Sequence, residues 1–384
     1  MKPAWNFTKF ISEMNNKISV RSCNEYDFHK VYDLISDIYT KSDGPDVRDK
    51  KVLLKPNILN DSDPGRCIST HPVVVEAMIR LLQSKGAMVF VGDSPAVHRK
   101  GFSADKSGIA GVCETTGATW VDFMANPVER KIGKRSIRIA RIVDRVDLII
   151  SLPKFKNHEL MYFTGAIKNT LGLVPGFSKA KQHGLHRDRN GFGEFLVDLN
   201  EEILPDYFLM DGIMGMEGPG PGSQGIPVAT GVLLGSTNPL VLDITASKIA
   251  GYNPFVIPTT KTAFFRKRWL QSESDIIYDG PRLESLIKPN FRKIPVSGNS
   301  SSGLRFILGR TKLVRRLEKR PVFLHDSCTG CRKCVDICPA DAIHPLATDK
   351  KHIVLTDSKC IRCFCCAEAC TDSAIDVRIK MFGV

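Results

Sequence analysis

The chain reads as an α/β protein, a mainly parallel sheet with flanking helices, followed by a small C-terminal α+β module. Three observations predict this. Short apolar runs alternate with helix-period segments through the first 255 residues; nine of the 12 cysteines crowd between Cys328 and Cys370; and the net charge of +13 lies wholly in the first 320 residues, because residues 321–384 hold eight basic and eight acidic side chains. The 384 residues, 42% hydrophobic and 25% charged, suit a globular protein of two or three domains and exclude a disordered or fibrous one. The expected division is an α/β domain with a cationic pocket over 1–255, a basic extension and linker over 256–320, and the cysteine-rich module over 321–384.

Lys51 to Leu54 is the first clear strand. Pro72 to Gln83 then places Val75, Met78, Ile79 and Leu82 at helical spacing, with Gly86 as a stop, and Met88 to Val91 returns to strand; a right-handed βαβ unit is expected. Further strands are expected at Thr119 to Phe123, Val146 to Ser151, Tyr207 to Met210 and Gly231 to Leu234, with helices near Tyr162 to Leu171, Glu194 to Leu204 and Leu240 to Ala250.

The residues at the strand ends are more informative than the strands. The strands run into Lys55-Pro56-Asn57, Gly92-Asp93-Ser94, Pro153 to His158, Asp211-Gly212 and Gly235-Ser236-Thr237. In an open parallel sheet ligands bind beyond the carboxyl ends of the strands, so these ends should converge. Capping and turn formation explain Asn57, Asp93 and Ser236, but not lysines and a histidine. Between Lys154 and His186 the chain carries Lys154, Lys156, His158, Lys168, Lys179, Lys181, His183 and His186 against Glu159 alone. A solvated face is the ordinary explanation of such a run. Lys168, however, falls in the apolar segment FTGAIKNTLGLV, where a lysine needs a counter-charge such as a carboxylate or phosphate. The expected site therefore has His158, Lys156 and Lys168 as its working groups, His158 as a proton donor because imidazole titrates near neutrality, and Lys55, Asn57, Asp93, Ser94, Lys154, Asn169 and Asp211 around an anionic ligand.

MEGPGPGSQGIP should form a loop beside Asp211, as a lid or a structural Ω-loop. No dinucleotide fingerprint, P-loop or nucleophilic triad is present, and Cys23, Cys67 and Cys113 are isolated, packed thiols. FFRKRWLQ reads as an amphipathic helix, and Arg305 to Arg320 is strongly basic; docking of an acidic redox partner, peripheral contact with an anionic membrane surface and a plain linker are all consistent with that stretch. No apolar run reaches the roughly 18 residues of a membrane span and no secretory leader is visible, so a cytoplasmic location is expected. Nucleic-acid binding lacks both a motif and a stacking aromatic series.

In the tail, Cys328, Cys331, Cys334 and Cys338 recur at Cys360, Cys363, Cys366 and Cys370, each shifted by 32, with Ala342-Ile343 matching Ala374-Ile375. Three thiolates within seven residues wrap one face of a small inorganic cube, while the fourth, past a turn, points to a neighbouring cube. Disulfides need an oxidising compartment and would be strained at this density, and zinc sites pair two C-x2-C units for one ion. The module resembles bacterial two-cluster ferredoxins. That resemblance implies two [4Fe-4S] clusters, one on Cys328, Cys331, Cys334 and Cys370 and the other on Cys360, Cys363, Cys366 and Cys338. Thr371 stands where the second run would carry the counterpart of Pro339, and Cys365 is out of register with the repeat.

VLLKPN, FVGDS, PKFKNHELMYFTGAIKNTLGLVPG, LMDGIMGMEGPGPGSQG and VLLGSTNPLVLD resemble the iron-sulfur proteins carrying domain of unknown function 362. This implies an α/β domain coupled to iron-sulfur electron transfer and supplies no reaction. The resulting expectation is an oxidoreductase that binds an anionic small molecule or a redox partner protein. The other reading is a non-catalytic electron carrier or assembly protein whose α/β domain is a docking platform.

Overall fold

The computed structural model describes residues 15–95, 101–186, 188–222, 224–296, 319–346 and 352–379. In chain order the strands of the first part are β1 (Lys17–Ser22), β2 (Lys51–Pro56), β3 (Met88–Val91), β4 (Thr119–Trp120), β5 (Val128–Ile132), β6 (Arg135–Ile139), β7 (Leu148–Leu152), β8 (Lys154–His158), β9 (Tyr162–Thr164), β10 (Tyr207–Glu217), β11 (Ile226–Ser236) and β12 (Ile277–Asp279). The main sheet runs β12-β1-β11-β10-β7-β2-β3-β4, with β8 beside the far end of β10 and hairpinned to β9. From β10 to β4 every neighbour is parallel, as expected; β11 is antiparallel to both β10 and β1. A separate antiparallel hairpin is made by β5 and β6.

Alternate residues of each strand enter different cores. Val52, Leu54, Ile150, Leu152 and Leu209 pack under helices α1 (Phe28–Lys41), α2 (Pro72–Ser84) and α3 (Ile109–Thr116), whereas Leu53, Ile149, Phe208 and Met210 face the other side. That side is covered by α4 (Ala166–Asn169), α6 (Arg189–Glu202), α7 (Pro239–Ile249) and α8 (Pro258–Phe265), while α5 (Phe177–Leu185) packs against the cysteine-rich tail. The result is a sheet sandwiched between helical layers, as the near-continuous apolar run VLLKP requires of a strand buried on both faces. Helix starts obey local chemistry: Asp27 accepts from Lys30 N–H, His71 caps α2 ahead of Pro72, and Asn238 accepts from Leu240 and Val241 N–H ahead of Pro239.

Four sequence readings need correction. Tyr162 to Leu171 is not one helix: β9 occupies its start, and the helix cannot begin before Ala166 because Gly165 lies against Asp243, whose carboxylate accepts from the N–H groups of Ala166 (2.6 Å) and Ile167 (3.2 Å). Gly235-Ser236-Thr237 ends an antiparallel strand and so lies at the opposite edge from the other strand ends, where Ser236 Oγ donates to Lys17 O. The fold does not stop at residue 255, since β12 pairs with β1 and Trp269, Leu270, Leu286, Phe291 and Ile294 enter the core. FFRKRWLQ is the end of α8 and a turn rather than a helix of its own; Lys267 turns with positive φ, Arg266 pairs with Asp198 and Glu201, and Trp269 is buried. Arg305 to Arg320 lies outside the described residues except for Lys319 and Arg320.

The module contributes β13 (Arg320–Phe323), β14 (Ile343–Pro345), β15 (Ile353–Leu355) and β16 (Ile375–Arg378), with helices α10 (Lys333–Asp336) and α11 (Cys365–Ala369); α9 (Leu283–Leu286) precedes them. Strand β13 pairs with β16 and β14 with β15, both antiparallel, so the first and last segments of the module close on each other. Its backbone repeats like its cysteines. Positive φ occurs at Gly330 and Arg362, at Arg332 and Phe364, and at Asp341 and Ser373, each pair separated by 32 residues.

Candidate functional site

Beyond the carboxyl ends of β2, β3 and β7 the expected residues do meet. Lys55 is fully buried, 2.8 Å from Asp93 Oδ1, and donates to Pro56 O (3.0 Å) and Asn169 Oδ1 (3.1 Å). Asp93 also accepts from Ile58 and Ser94 N–H. Asn57 bridges the two sides, donating to Asn169 Oδ1 (2.9 Å) and accepting from Lys156 Nζ (2.6 Å). Ser94 sits at the end of β3, where its carbonyl holds Lys179 and its hydroxyl accepts from Gly176 N–H. Lys154 and Asp211 form a second buried pair at 2.7 Å, each also bonded to the Tyr26 hydroxyl.

Strand β7 runs on through Pro153 into β8 beside β10, so Pro153 to His158, expected beyond a strand end, is largely a strand, and it buries Lys154, Lys156 and His158. Lys156 is buried with no carboxylate bonded to it among the described residues, donating instead to Asn57 Oδ1 and Ile68 O. Burial pushes its ammonium well below the usual value and Lys168 adds to the push. His158 accepts from the N–H groups of Leu160 (3.1 Å) and Met161 (3.2 Å) at Nδ1. The ring proton is thereby left on Nε2. Burial, then Lys168, lowers its pKa to about 4, so His158 is a neutral N–H donor at neutral pH and not the near-neutral acid that the sequence suggests.

Lys168 sits near the end of α4, half-buried; burial lowers its pKa, while Glu368, Cys365 and Asp93 oppose the shift. On α5, Lys179 is lowered to about 8 and His183 to about 3, both mainly by burial. Five lysines thus gather around three carboxylates, Asp93, Asp211 and Glu368. Glu368 is the residue that sequence reasoning missed. It projects from α11 of the cysteine-rich module, is buried, and places Oε1 3.1 Å from His158 Nε2, off the line of an ideal hydrogen bond. Burial opposes its ionisation, but His158, Lys168 and His183 outweigh burial and hold the carboxyl well below its usual range.

The module is seated on the cationic site through this helix. Asn60 donates to Glu368 O (3.3 Å), Arg66 to Thr371 O (3.4 Å), Val377 N–H to Gln224 (3.2 Å), and Lys319 pairs with Glu159 at 2.6 Å. Ala180 of α5 packs with Ile337, Cys363, Cys365 and Ala369. The Gly/Pro-rich segment after Asp211 turns between β10 and β11 and lies under α11, where a Cβ on Gly222 would meet Ala367 O at 3.1 Å.

Cys328, Cys331, Cys334 and Cys370 line one shallow pocket open to solvent. Among the described residues no three His, Cys, Asp or Glu side chains close on a point as a single metal ion would need, so these thiols surround a volume, and that suits a cube. Burial pushes the free Cys334 thiol up to about 12, and Cys370, Cys331 and Cys328 add to the shift. Burial likewise raises Cys366, whose thiol neighbours are Cys363, Cys360, Cys334 and Cys338. The fourth cysteine of each run accepts a backbone hydrogen bond at Sγ: Ala342 N–H to Cys338 at 3.2 Å and Ala374 N–H to Cys370 at 3.3 Å. Such bonds favour the thiolate form that cluster binding needs. The donor set, the pocket and the repeated backbone fit [4Fe-4S] chemistry.

Fold and site define an iron-sulfur protein in which a ferredoxin-type module lies against a lysine-lined α/β domain. Residues 52–248 match the family described as Domain of unknown function (DUF362), and the chain belongs to that family. Residues 320–371 match the 4Fe-4S dicluster domain. The chain is 36% identical over 211 residues to a thylakoid-associated protein of Synechocystis sp., covering 54% of this chain and 65% of that protein, just under two thirds of its length. Among solved structures it is similar to a structural-genomics target from Thermotoga maritima, with 15% identity, a TM-score of 0.36 and coverage of 54% of this chain and 55% of that one. It is also similar to the lactate racemase apoprotein from Thermoanaerobacterium thermosaccharolyticum, with 12% identity, a TM-score of 0.41 and coverage of 60% and 56%. Among the described residues no helix is long and apolar enough to cross a membrane.

Proposed function

We propose that the protein is an oxidoreductase in which two [4Fe-4S] clusters exchange single electrons with an anionic substrate or partner held in the cationic site. Cys328, Cys331, Cys334 and Cys370 would hold the outer cluster and Cys360, Cys363, Cys366 and Cys338 the inner one; bound there, the clusters supply one-electron redox chemistry. The observation that carries the reading is the short helix α11. It bears Cys366, an inner-cluster ligand in this scheme, and within one turn Glu368, which touches His158.

In this reading Lys168 and Lys156 attract and orient the anionic group, and His158 donates its Nε2–H to it. Lys55, Asn57, Asp93, Ser94 and Asn169 hold the lysines in place, and the Lys154–Asp211 pair fixes the base of β8. Packing of α11 on α5 excludes water between the inner cysteines and the site. The exposed Cys331 gives the outer cluster an edge for a redox partner protein. That same edge is all the carrier reading requires.

The two readings separate in one experiment on full-length protein reconstituted anaerobically. Its reduced clusters are reoxidised in a stopped-flow spectrometer by a soluble ferredoxin, with and without a panel of small carboxylates and phosphate, for wild type and Lys168→Ala. An anion that changes the reoxidation rate or the inner-cluster EPR signal, and loses that effect in Lys168→Ala, supports the oxidoreductase. Exchange at the same rate under every condition supports the carrier.

A further inference from the structure

The cationic site already contains an anion, and it is supplied by the module. Glu368 presents a buried carboxylate to His158 at 3.1 Å, with Lys168 and His183 its next cationic or donor neighbours. The seat is incompletely made. His158 Nε2 lacks an aligned acceptor, His183 Nδ1 is buried without a partner, and Lys168 donates no hydrogen bond among the described residues. A buried donor left unmet is costly, so this arrangement suits an acceptor that fits better than the Glu368 side chain does.

The backbone anchors α11 independently of the Glu368 side chain, because the Glu368 carbonyl accepts from Asn60. The side chain also borders a small hollow, open to solvent and with room for about one water, lined by Glu159, Gly220, Gly222, Phe364 and Ala367 among others. Displacing the Glu368 side chain toward that hollow would open the cationic site with α11 still seated.

We propose that Glu368 is an internal surrogate for the ligand's own acid group, and that the external ligand is a small carboxylate that exchanges with Glu368 on His158 and Lys168. The inference rests on the anion-binding reading above and names its ligand class. A carboxylate suits the position because it matches the charge and shape of the group that fills it, whereas a dianionic phosphate would bring a second negative charge close to Asp93. Exchange also links the site to the module. Glu368 and Cys366 share one helical turn, so ligand binding relocates a negative charge beside the inner cysteines, and by linkage cluster reduction must alter ligand affinity by the same factor.

The test uses full-length protein with its clusters in place, titrated anaerobically at constant ionic strength with acetate or with inorganic phosphate. Calorimetry reads affinity and hydrogen exchange reads residues 363–370. Removing an internal competitor raises apparent affinity by the inverse of the fraction of sites left open, so Glu368→Gln should bind acetate about tenfold more tightly than wild type. In wild type, saturating acetate should speed exchange in 363–370. Equal acetate affinity in wild type and Glu368→Gln overturns the surrogate role and leaves the anion site standing. An equal gain for phosphate overturns the ligand class. If neither probe binds either protein, the anion site falls as well. Should Glu368→Gln lose its clusters, the wild-type exchange measurement decides, and exchange unchanged by saturating acetate overturns the proposal.

Discussion

Asp336 and Glu368 occupy equivalent places in the two halves of the module, as do Lys333 and Cys365. The halves share cysteine spacing, three matched left-handed residues and a matched N–H···S bond, yet Asp336 is exposed where Glu368 is buried against His158, and Lys333 is partly exposed where Cys365 is buried beside Ala180. Local backbone geometry is therefore indifferent to function, because both halves need the same cradle. The difference lies in what each helix faces: α10 faces solvent, and α11 faces lysines and histidines. One duplicated motif thus has an outer side turned to solvent and an inner side turned to the lysines and histidines of the α/β domain.

The largest effect should come from removing one cysteine in each half. Wild type should carry about eight irons per chain, and Cys334→Ser or Cys366→Ser should each leave about four by anaerobic iron and sulfide analysis. Only Cys366→Ser should also change hydrogen exchange in α5. Zinc in the wild type, or identical effects on α5, would erase the distinction between the halves.

A smaller effect tests the domain side of the inner contact. Burial raises Asp243 to about 7 while it caps the helix that carries Lys168. Its folded value lies above the ordinary 3.8, so between those values the folded chain keeps a proton that the unfolded chain has released. The stabilisation from this group is full below about pH 4 and is lost as pH rises toward 7. Relative to Asp243→Asn, which keeps the cap but cannot ionise, wild type should lose on the order of 2–4 kcal/mol across that window in urea unfolding. Parallel curves for the two proteins would show that the carboxyl is not perturbed.

The lysines sharpen the comparison further. Lys156→Met strands two buried acceptors, Asn57 Oδ1 and Ile68 O, and should cost about 1–3 kcal/mol of stability. Lys168→Met strands no acceptor among the described residues but removes a cation beside Glu368, so it should lower the urea midpoint by less than Lys156→Met does while shifting the inner-cluster EPR signal alone. If Lys168→Met unfolds the protein, that lysine is part of the scaffold. Least affected should be Lys319→Ala: the lysine side of its pair with buried Glu159 is partly exposed, so water can reach the freed carboxylate and stability should fall by about 1 kcal/mol, with a looser α11 by hydrogen exchange.

Much of this was legible in the chain. Strands β2 and β3 and helix α2 lie where apolar periodicity puts them, and the cysteine register announces the module, because both signals are local. The cationic cluster was visible in outline, since Lys154, Lys156 and His158 are close in sequence. Its internal neutralisation was not. Asp93, Asp211 and Glu368 reach Lys55, Lys154 and His158 across 38, 57 and 210 residues, and nothing in a strand-and-helix pattern pairs groups so far apart. The one available hint was Glu368 itself, an acidic residue between two cluster cysteines. The direction of β11 was equally hidden, because an apolar run has no polarity.

The 210-residue interval between His158 and Glu368 also orders events during synthesis. Domains fold largely as they emerge, N-terminal part first. The lysine-lined basin would then form before the helix that fills it has been translated, and the nascent chain would pass through a period in which Lys156 and Lys168 lack the Glu368 carboxylate while Lys55 and Lys154 already hold Asp93 and Asp211. In the ligation proposed above, cofactor loading needs the last cysteine, Cys370, and would come after that period, so the step that installs the clusters would also put the final wall on the site. A chain stalled before residue 360 would display an exposed positive hollow to every acidic molecule nearby. Iron supply would then govern how long newly made copies stay in that sticky state.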